Sequence, residues 1–393
     1  MALKSFMMVL ALWAAAGAAS AQELRIALIL GKTGPFEAYA KETEAGFMMG
    51  LEYLTGGKME LGGRKIRVIV KDDQLKPDLA KTALAEAYGD DKVAIAVGTT
   101  SSGATLAMLP VAEEYRKILI VEPAVADSIT GDKWNRHIFR TSRNSTQDGL
   151  AGAATLMGKA SVAFLAQDYA FGRDGVKAAK DALATIGSKA TVVHEEYAPQ
   201  NTTDFTASAQ RIFDALKSHP EPRILGIIWA GPHPLSKIAD LKPGRYGIVL
   251  APGGNILPVL KTWKSYAGTE GAIFYYYGFP KNPMNDWLVA EYRKRYNAPP
   301  DMFTAGGFTA ASAVVAALKK VPSGDTEKLI AAMEGMEFDT PKGKMSFRKA
   351  DHQAMQPMYH FRIKKEQKDE WDLLELVREI PASELPVPVR NKR

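Results

Sequence analysis

Short apolar runs alternate with longer amphipathic ones along this chain, and the whole alternation runs through twice. The run LRIALIL at 24–30 reads as a buried strand, and the Gly-rich turn Gly31-Lys-Thr-Gly-Pro35 follows it. Helical spacing covers 43–54, with Ala45, Met48, Met49 and Leu51 on its apolar face. Two Gly-Gly pairs then mark a hairpin-like turn before a strand at 66–70. A helix at 78–88 precedes a strand at 93–97, and another helix precedes a strand at 118–121. After Arg140 the rhythm restarts. Strands at 161–166, 191–194 and 224–229 alternate with helices at 172–186 and 205–217, and further strands are expected at 248–251 and 272–276. Strand–helix alternation of this kind predicts an α/β fold in which each half is a doubly wound parallel sheet with helices on both faces.

At about 150 residues per domain, 393 residues leave room for both halves. No Ser/Gly/Pro-rich linker parts them, because the passage at 140–148 is short and polar. The halves therefore read as two lobes around a cleft rather than as independent domains. Open α/β sheets bind ligands at the carboxyl ends of their strands, so two such ends facing each other enclose a small molecule. Hinge closure then seals it from water. The segment 381–393, rich in proline and charge, is expected to lie extended on the surface.

Composition removes several classes of function. The chain has no cysteine, so it has no disulfide, thiolate zinc site, iron–sulfur cluster, cysteine nucleophile or lipid-modified N-terminal cysteine. Its formal charge of +6 comes from 50 basic and 44 acidic residues mixed along the chain. No Lys/Arg block is interleaved with aromatics, so no nucleic-acid partner is expected. Residues 1–21 read as a cleaved export signal: Lys4 is the positive region, 6–16 the apolar one, and Ala19-Ser-Ala21 the small-x-small cleavage site. That core is too short to span about 30 Å of hydrocarbon. The mature chain is expected to start near Gln22 and to be soluble in a periplasm.

Six short motifs occur in order after that signal. They are Thr33-Gly-Pro-Phe-Glu-Ala-Tyr39, Gly98-Thr-Thr-Ser-Ser-Gly103, Pro123-Ala-Val-Ala126, Arg140-Thr141, Asp168-Tyr-Ala-Phe-Gly172 and Asp351-His-Gln353. Together they resemble the type I periplasmic binding proteins of the leucine/isoleucine/valine-binding subgroup, which feed ABC importers. The resemblance covers nearly the whole mature chain. It implies three crossovers, near residues 142, 275 and 345. Lobe one is then 22–142 plus 275–345, and lobe two 143–274 plus 346–393. It also implies an inner-membrane ABC permease as partner, and free diffusion to that permease favours a monomer.

The turn at 99–102 has a reading of its own. Small hydroxyl residues after a strand, with a helix beginning near Ala104, bring hydroxyls and free N–H groups together where a helix carries about half a positive charge. This suits a carboxylate; simple N-capping by Ser101 or Ser102 explains the same residues. The resemblance aligns Ser102 with the family's carboxylate-binding serine. Where amino-acid-binding members hold the ligand ammonium, this chain departs. The Thr or Ser after the Pro-Ala turn is replaced by Ala126, or by Val125 if the turn shifts by one. The acidic residue of a Gly-Pro-acidic-Gly turn is replaced by glycine in Ala251-Pro-Gly-Gly254. A buried ammonium without a counter-charge would cost several kcal/mol, so the expected ligand has a carboxylate and no α-amino group.

Aromatic residues form the remaining wall: Tyr39, Tyr169, Phe171, Trp229 and the Tyr275–Tyr277 run, of which strand alternation lets at most two point one way. Each could equally be core, but gathered at strand ends they suit a flat aromatic acid, as in members of the subgroup that take up benzoate-like or phenylpropanoid acids. The expected binding surface comprises Tyr39, Thr100, Ser101, Ser102, Ala124, Val125, Ala126, Tyr169, Phe171, Trp229, Gly231, His233, Gly253 and Tyr276. No catalytic or metal-binding residue and no cofactor are expected: no histidine pair has zinc-ligand spacing, and no phosphate loop, dinucleotide fingerprint or nucleophile elbow occurs. Asp72-Asp73 reads as surface and His352 as structural. A branched-chain amino acid or amide binder, a periplasmic ligand sensor and an exported hydrolase are the alternatives.

Overall fold

The computed structural model describes residues 23–251 and 253–392; the signal-like segment 1–21 lies outside the described residues. The first half runs β1 (Leu24–Leu30), α1 (Glu37–Leu54), β2 (Glu60–Leu61), β3 (Arg64–Asp72), α2 (Pro77–Gly89), β4 (Ile95–Gly98), α3 (Ser102–Glu114), β5 (Ile118–Val121) and β6 (Ile138–Arg140). Its sheet has the order β2-β3-β1-β4-β5-β6, with every pairing parallel except the β2–β3 hairpin. β1 lies between β3 and β4 with helices over both faces, hence its unbroken apolar sequence.

The second half runs α4 (Ser145–Ala153), β7 (Ser161–Gln167), α5 (Ala170–Thr185), β8 (Thr191–Ala198), α6 (Thr206–Lys217), β9 (Arg223–Ile228), α7 (Leu235–Asp240), β10 (Ile248–Ala251), α8 (Leu257–Thr262) and β11 (Glu270–Ile273). Its parallel sheet is β10-β9-β7-β8. Then come α9 (Pro283–Tyr296), α10 (Met302–Lys320), α11 (Thr326–Met333), β12 (Glu337–Thr340), β13 (Gly343–Phe347), β14 (Ala354–Met355), β15 (Met358–Ile363) and β16 (Leu374–Ile380). The last strands form two small antiparallel sheets, β12-β13-β14 and β11-β15-β16.

The two parallel sheets follow the expected alternation, and the differences from it have physical causes. α1 begins at Glu37, well before residue 43, because the polar run Lys41-Glu-Thr-Glu44 hides an apolar face in which Tyr39 and Ala40 are buried. β11 ends at Ile273, so the three tyrosines leave the strand, and it pairs with β15 instead of joining the second parallel sheet. β12–β14 pack on the first lobe: Phe338, Met345, Phe347 and Ala354 share one core with Leu24, Ile26 and Ile95. The third passage between lobes therefore falls after Met355 rather than near 345, and residues 346–355 side with lobe one.

The segments that lead into the first and third passages are fastened together. Arg140, fully buried, donates from its backbone to the His352 carbonyl (3.0 Å) and from Nε to Gln353 Oε1 (2.6 Å). His352 stacks on Phe139 with ring centroids 3.9 Å apart. The tail after β16, expected to lie extended on the surface, makes one helical turn at Ala382–Glu384 and is held in place. Arg348 donates to the Val387 carbonyl, Asn391 to Ala350 and Arg390 to Asp181, while Leu385 and Val387 are buried.

Candidate functional site

The strand ends of both lobes meet at a cavity of about 90 Å³. Lobe one contributes Phe36 and Tyr39 from the start of α1, Thr100 and Ser102 after β4, Pro123, Ala124 and Val125 after β5, and Met302 and Phe303 from α10. Lobe two contributes Tyr169, Phe171, Trp229, Ala230, Gly254 and Asn255, and Arg143 enters from the first passage between lobes.

Ser101 is the N-cap of α3, its Oγ accepting from the Ala104 N–H at 3.5 Å, and the helix starts at Ser102 rather than near Ala104. Ser102 Oγ accepts the N–H groups of Val125 (3.4 Å) and Ala126 (3.2 Å). Thr100 Oγ1 accepts that of Gly31 (3.1 Å). A hydroxyl has one proton and two lone pairs, so both side chains keep a proton to donate into the cavity. Asp73 braces this turn and is buried, contrary to the surface reading: it accepts from Thr99 Oγ1 at 2.5 Å and from the Leu75 N–H at 2.8 Å. Burial pushes its carboxyl up, against those donors. Asp72 holds the preceding loop by accepting from Lys32 N and Thr33 Oγ1.

Tyr39 joins the lobes. Its hydroxyl accepts the Gly231 N–H from lobe two at 2.8 Å, and its ring stacks on Phe303 at 4.3 Å and on Phe36 at 5.6 Å. Burial pushes its phenol up to about 12, so it stays protonated. A second bond between lobes runs from the Leu257 N–H to Asp301 Oδ2 at 2.6 Å.

Arg143 was not among the expected residues. Its Nε donates to both carboxylate oxygens of Asp148 at 3.2 Å, and its guanidinium lies 4.3 Å over the Phe274 ring. Among the described residues its Nη atoms have no hydrogen-bond partner, and it is the one charged side chain lining the cavity. No acidic residue lines this cavity among those described. The passage that carries Arg143 reads in sequence as a short polar connection; only the fold brings Phe274 and Asp148 to it.

Of the expected residues, Tyr39, Thr100, Ser102, Ala124, Val125, Tyr169, Phe171 and Trp229 line this cavity together. The other six lie elsewhere. Ser101 caps a helix, and Ala126 spends its N–H on Ser102 and its carbonyl on Arg140. Gly231 makes the contact between lobes with Tyr39. Gly253 borders a larger chamber lined mostly by lobe two. His233 packs edge-on against Trp263 and accepts the Leu235 N–H, and burial pushes its imidazole down to about 3. Tyr276, turned off the end of β11, bonds the Trp371 carbonyl and the Leu373 N–H. Phe36, Asn255, Met302 and Phe303 were missed as residues lining the cavity. Phe36 lies inside the first motif, but nothing local marks α10 as reaching the cleft.

Comparison with known proteins agrees with this architecture. The chain is 63% identical to an ABC-type branched-chain amino acid transporter protein of solved structure from Rhodopseudomonas palustris, covering 94% of this chain and 100% of that one with a TM-score of 0.82. It is 27% identical to a solute-binding protein of an ABC transporter from Rhodopseudomonas palustris BisB5, solved with 3,4-dihydroxybenzoic acid, covering 93% and 99% with a TM-score of 0.79. It is also 23% identical, over 84% of this chain and 86% of the relative, to a leucine-, isoleucine-, valine-, threonine- and alanine-binding protein of Pseudomonas aeruginosa. Residues 23–368 match the periplasmic binding protein family. With two parallel-sheet lobes closing on a cavity at their strand ends, the chain belongs to that family, the extracytoplasmic solute-binding components of ABC transporters.

Proposed function

We propose that the mature chain, freed of residues 1–21 in the periplasm, captures a small carboxylate between its lobes and presents the closed form to an inner-membrane ABC permease, without making or breaking a bond. The ligand is an aromatic acid of the benzoate or phenylpropanoid kind. One observation carries this reading: the cavity offers Arg143 and the Thr100 and Ser102 protons to an anion, sets them among aromatic faces, and among the described residues presents no carboxylate to an ammonium. A charge-assisted bond to guanidinium is roughly twice as strong as a neutral one, and ring faces stack on a flat ligand. The dihydroxybenzoate bound by the relative from strain BisB5 supports the same class.

A branched-chain amino acid is the second reading, favoured by the description of the 63%-identical relative. It needs an acceptor for the ammonium; the side-chain Oδ1 of Asn255, which already accepts the Ile256 N–H at 2.8 Å, keeps one lone pair for that purpose. A thermal-shift panel separates the two. A ligand at one hundred times its Kd adds about 2.7 kcal/mol of stability. Benzoate, 4-hydroxybenzoate or a cinnamate is expected to raise Tm where leucine, isoleucine and valine do not. Stabilisation by leucine alone would reject the aromatic-acid reading.

A further inference from the structure

Beside the cleft, lined mostly by lobe two, lies a partly open chamber of about 220 Å³, more than twice the volume of the cleft cavity. The two share Arg143, Phe171, Trp229, Gly254, Asn255 and Met302 as wall, so the chamber adjoins the cleft. Its far walls are apolar. Val162 and Phe164 of β7 and Ile224 and Ile228 of β9 face it on one side, with Gly152 of α4 and Ala179 of α5 on the other. Among the described residues β10 is an edge of the parallel sheet, and β11, whose residues also line the chamber, pairs with β15 and not with that sheet. The polar groups at the junction are already paired: Asp148 with Arg143, and Glu270 with His360 and Arg362.

An apolar cavity of about 150 Å³ is large enough to take up benzene, and this chamber is larger. We infer that this chamber receives the apolar tail of an elongated monocarboxylic acid, an ω-phenylalkanoate type of ligand, whose carboxylate stays at Arg143, Thr100 and Ser102. The inference rests on the carboxylate reading of the cleft and extends it: the preferred acid is longer than a benzoate ring. Arg143, lining both cavities, marks the point where headgroup ends and tail begins.

The test is a calorimetric series on the full mature chain with benzoate, 3-phenylpropanoate, 5-phenylpentanoate and the uncharged 5-phenylpentan-1-ol. Affinity is expected to rise at least tenfold from benzoate to 5-phenylpentanoate, and the alcohol to bind at least tenfold more weakly than the matching acid. Gly152→Leu and Ile224→Phe, which fill the chamber, should each take at least tenfold from the long acid and leave benzoate within twofold. A Cβ at Gly152 meets no atom within 4 Å, so that variant is expected to fold; if either variant melts early, the chain-length series decides alone. Benzoate bound as tightly as the long acid, or a long acid indifferent to filling, overturns the inference and leaves the cleft reading standing. Failure of every carboxylate overturns both.

Discussion

Ser102 and Arg143 are the two sides of the proposed anion site, and they differ in how far sequence could find them. Ser102 is legible because its neighbours in the chain define its role: a strand end, a hydroxyl turn and a helix start. Arg143 is not, because its role is made by Phe274 and Asp148, brought to it from other elements. Ser102→Ala removes one donor to the ligand and leaves the Val125 and Ala126 N–H groups without their acceptor. A bound carboxylate should weaken by about 1–3 kcal/mol, read by calorimetry, and unchanged affinity would take Ser102 out of the site. Arg143→Met should cost more, but it also strands the Asp148 carboxylate, which burial already pushes up. The double change Arg143→Met with Asp148→Asn should regain thermal stability without regaining affinity. Tyr276 shows the opposite error: strand alternation assigned it a face, but the strand ends at Ile273 and the side chain turns to Trp371.

Among the elements, the parallel βα units were legible because buried strands carry unbroken apolar runs. The antiparallel strands from residue 337 on were not; β16, for one, buries only its end residues Leu374 and Ile380 and carries charged residues between them. The crossing of α1 and α10 was equally hidden. A Cβ at Gly46 would lie 1.8 Å from the Thr304 carbonyl oxygen, and one at Gly307 would lie 2.0 Å from that of Thr43, so glycine on each helix permits the approach that stacks Tyr39 on Phe303. Asp301 caps α10 there and reaches α8 through Leu257. Burial holds its carboxyl up at about 7, against the Leu257 and Met302 N–H donors, and raises nearby Glu42 as well, helped by the charge of Asp301. A folded-state value above the unfolded one, about 3.9 for Asp, means that the folded protein holds the extra proton. Its stabilising share is complete below about pH 4 and is lost as pH rises toward 7. His233, neutral when folded, works with the opposite sign and loses its share as pH falls below about 6.5. Asp301→Asn should therefore flatten the fall in stability between about pH 4 and 7 in a stability–pH curve measured by urea unfolding. An identical slope in the variant would remove Asp301 as its source.

At the scale of the whole molecule, the motif order was enough to anticipate two lobes and three crossovers, and it misplaced the third because β13 and β14 side with lobe one's core. The halves touch through a backbone amide at Gly231, whose φ is +79°, and a methyl there would come to 3.0 Å from the Phe36 ring and 3.1 Å from the Pro35 carbonyl oxygen. Gly231→Ala is expected to weaken every ligand several-fold, whatever its chemistry, and to enlarge the liganded particle in small-angle scattering; a selective loss for one ligand would contradict this. One carbon atom at that position would act as a wedge in a doorway. A receptor kept ajar could still sample solute, but it could never offer the transporter the shape that announces a full load.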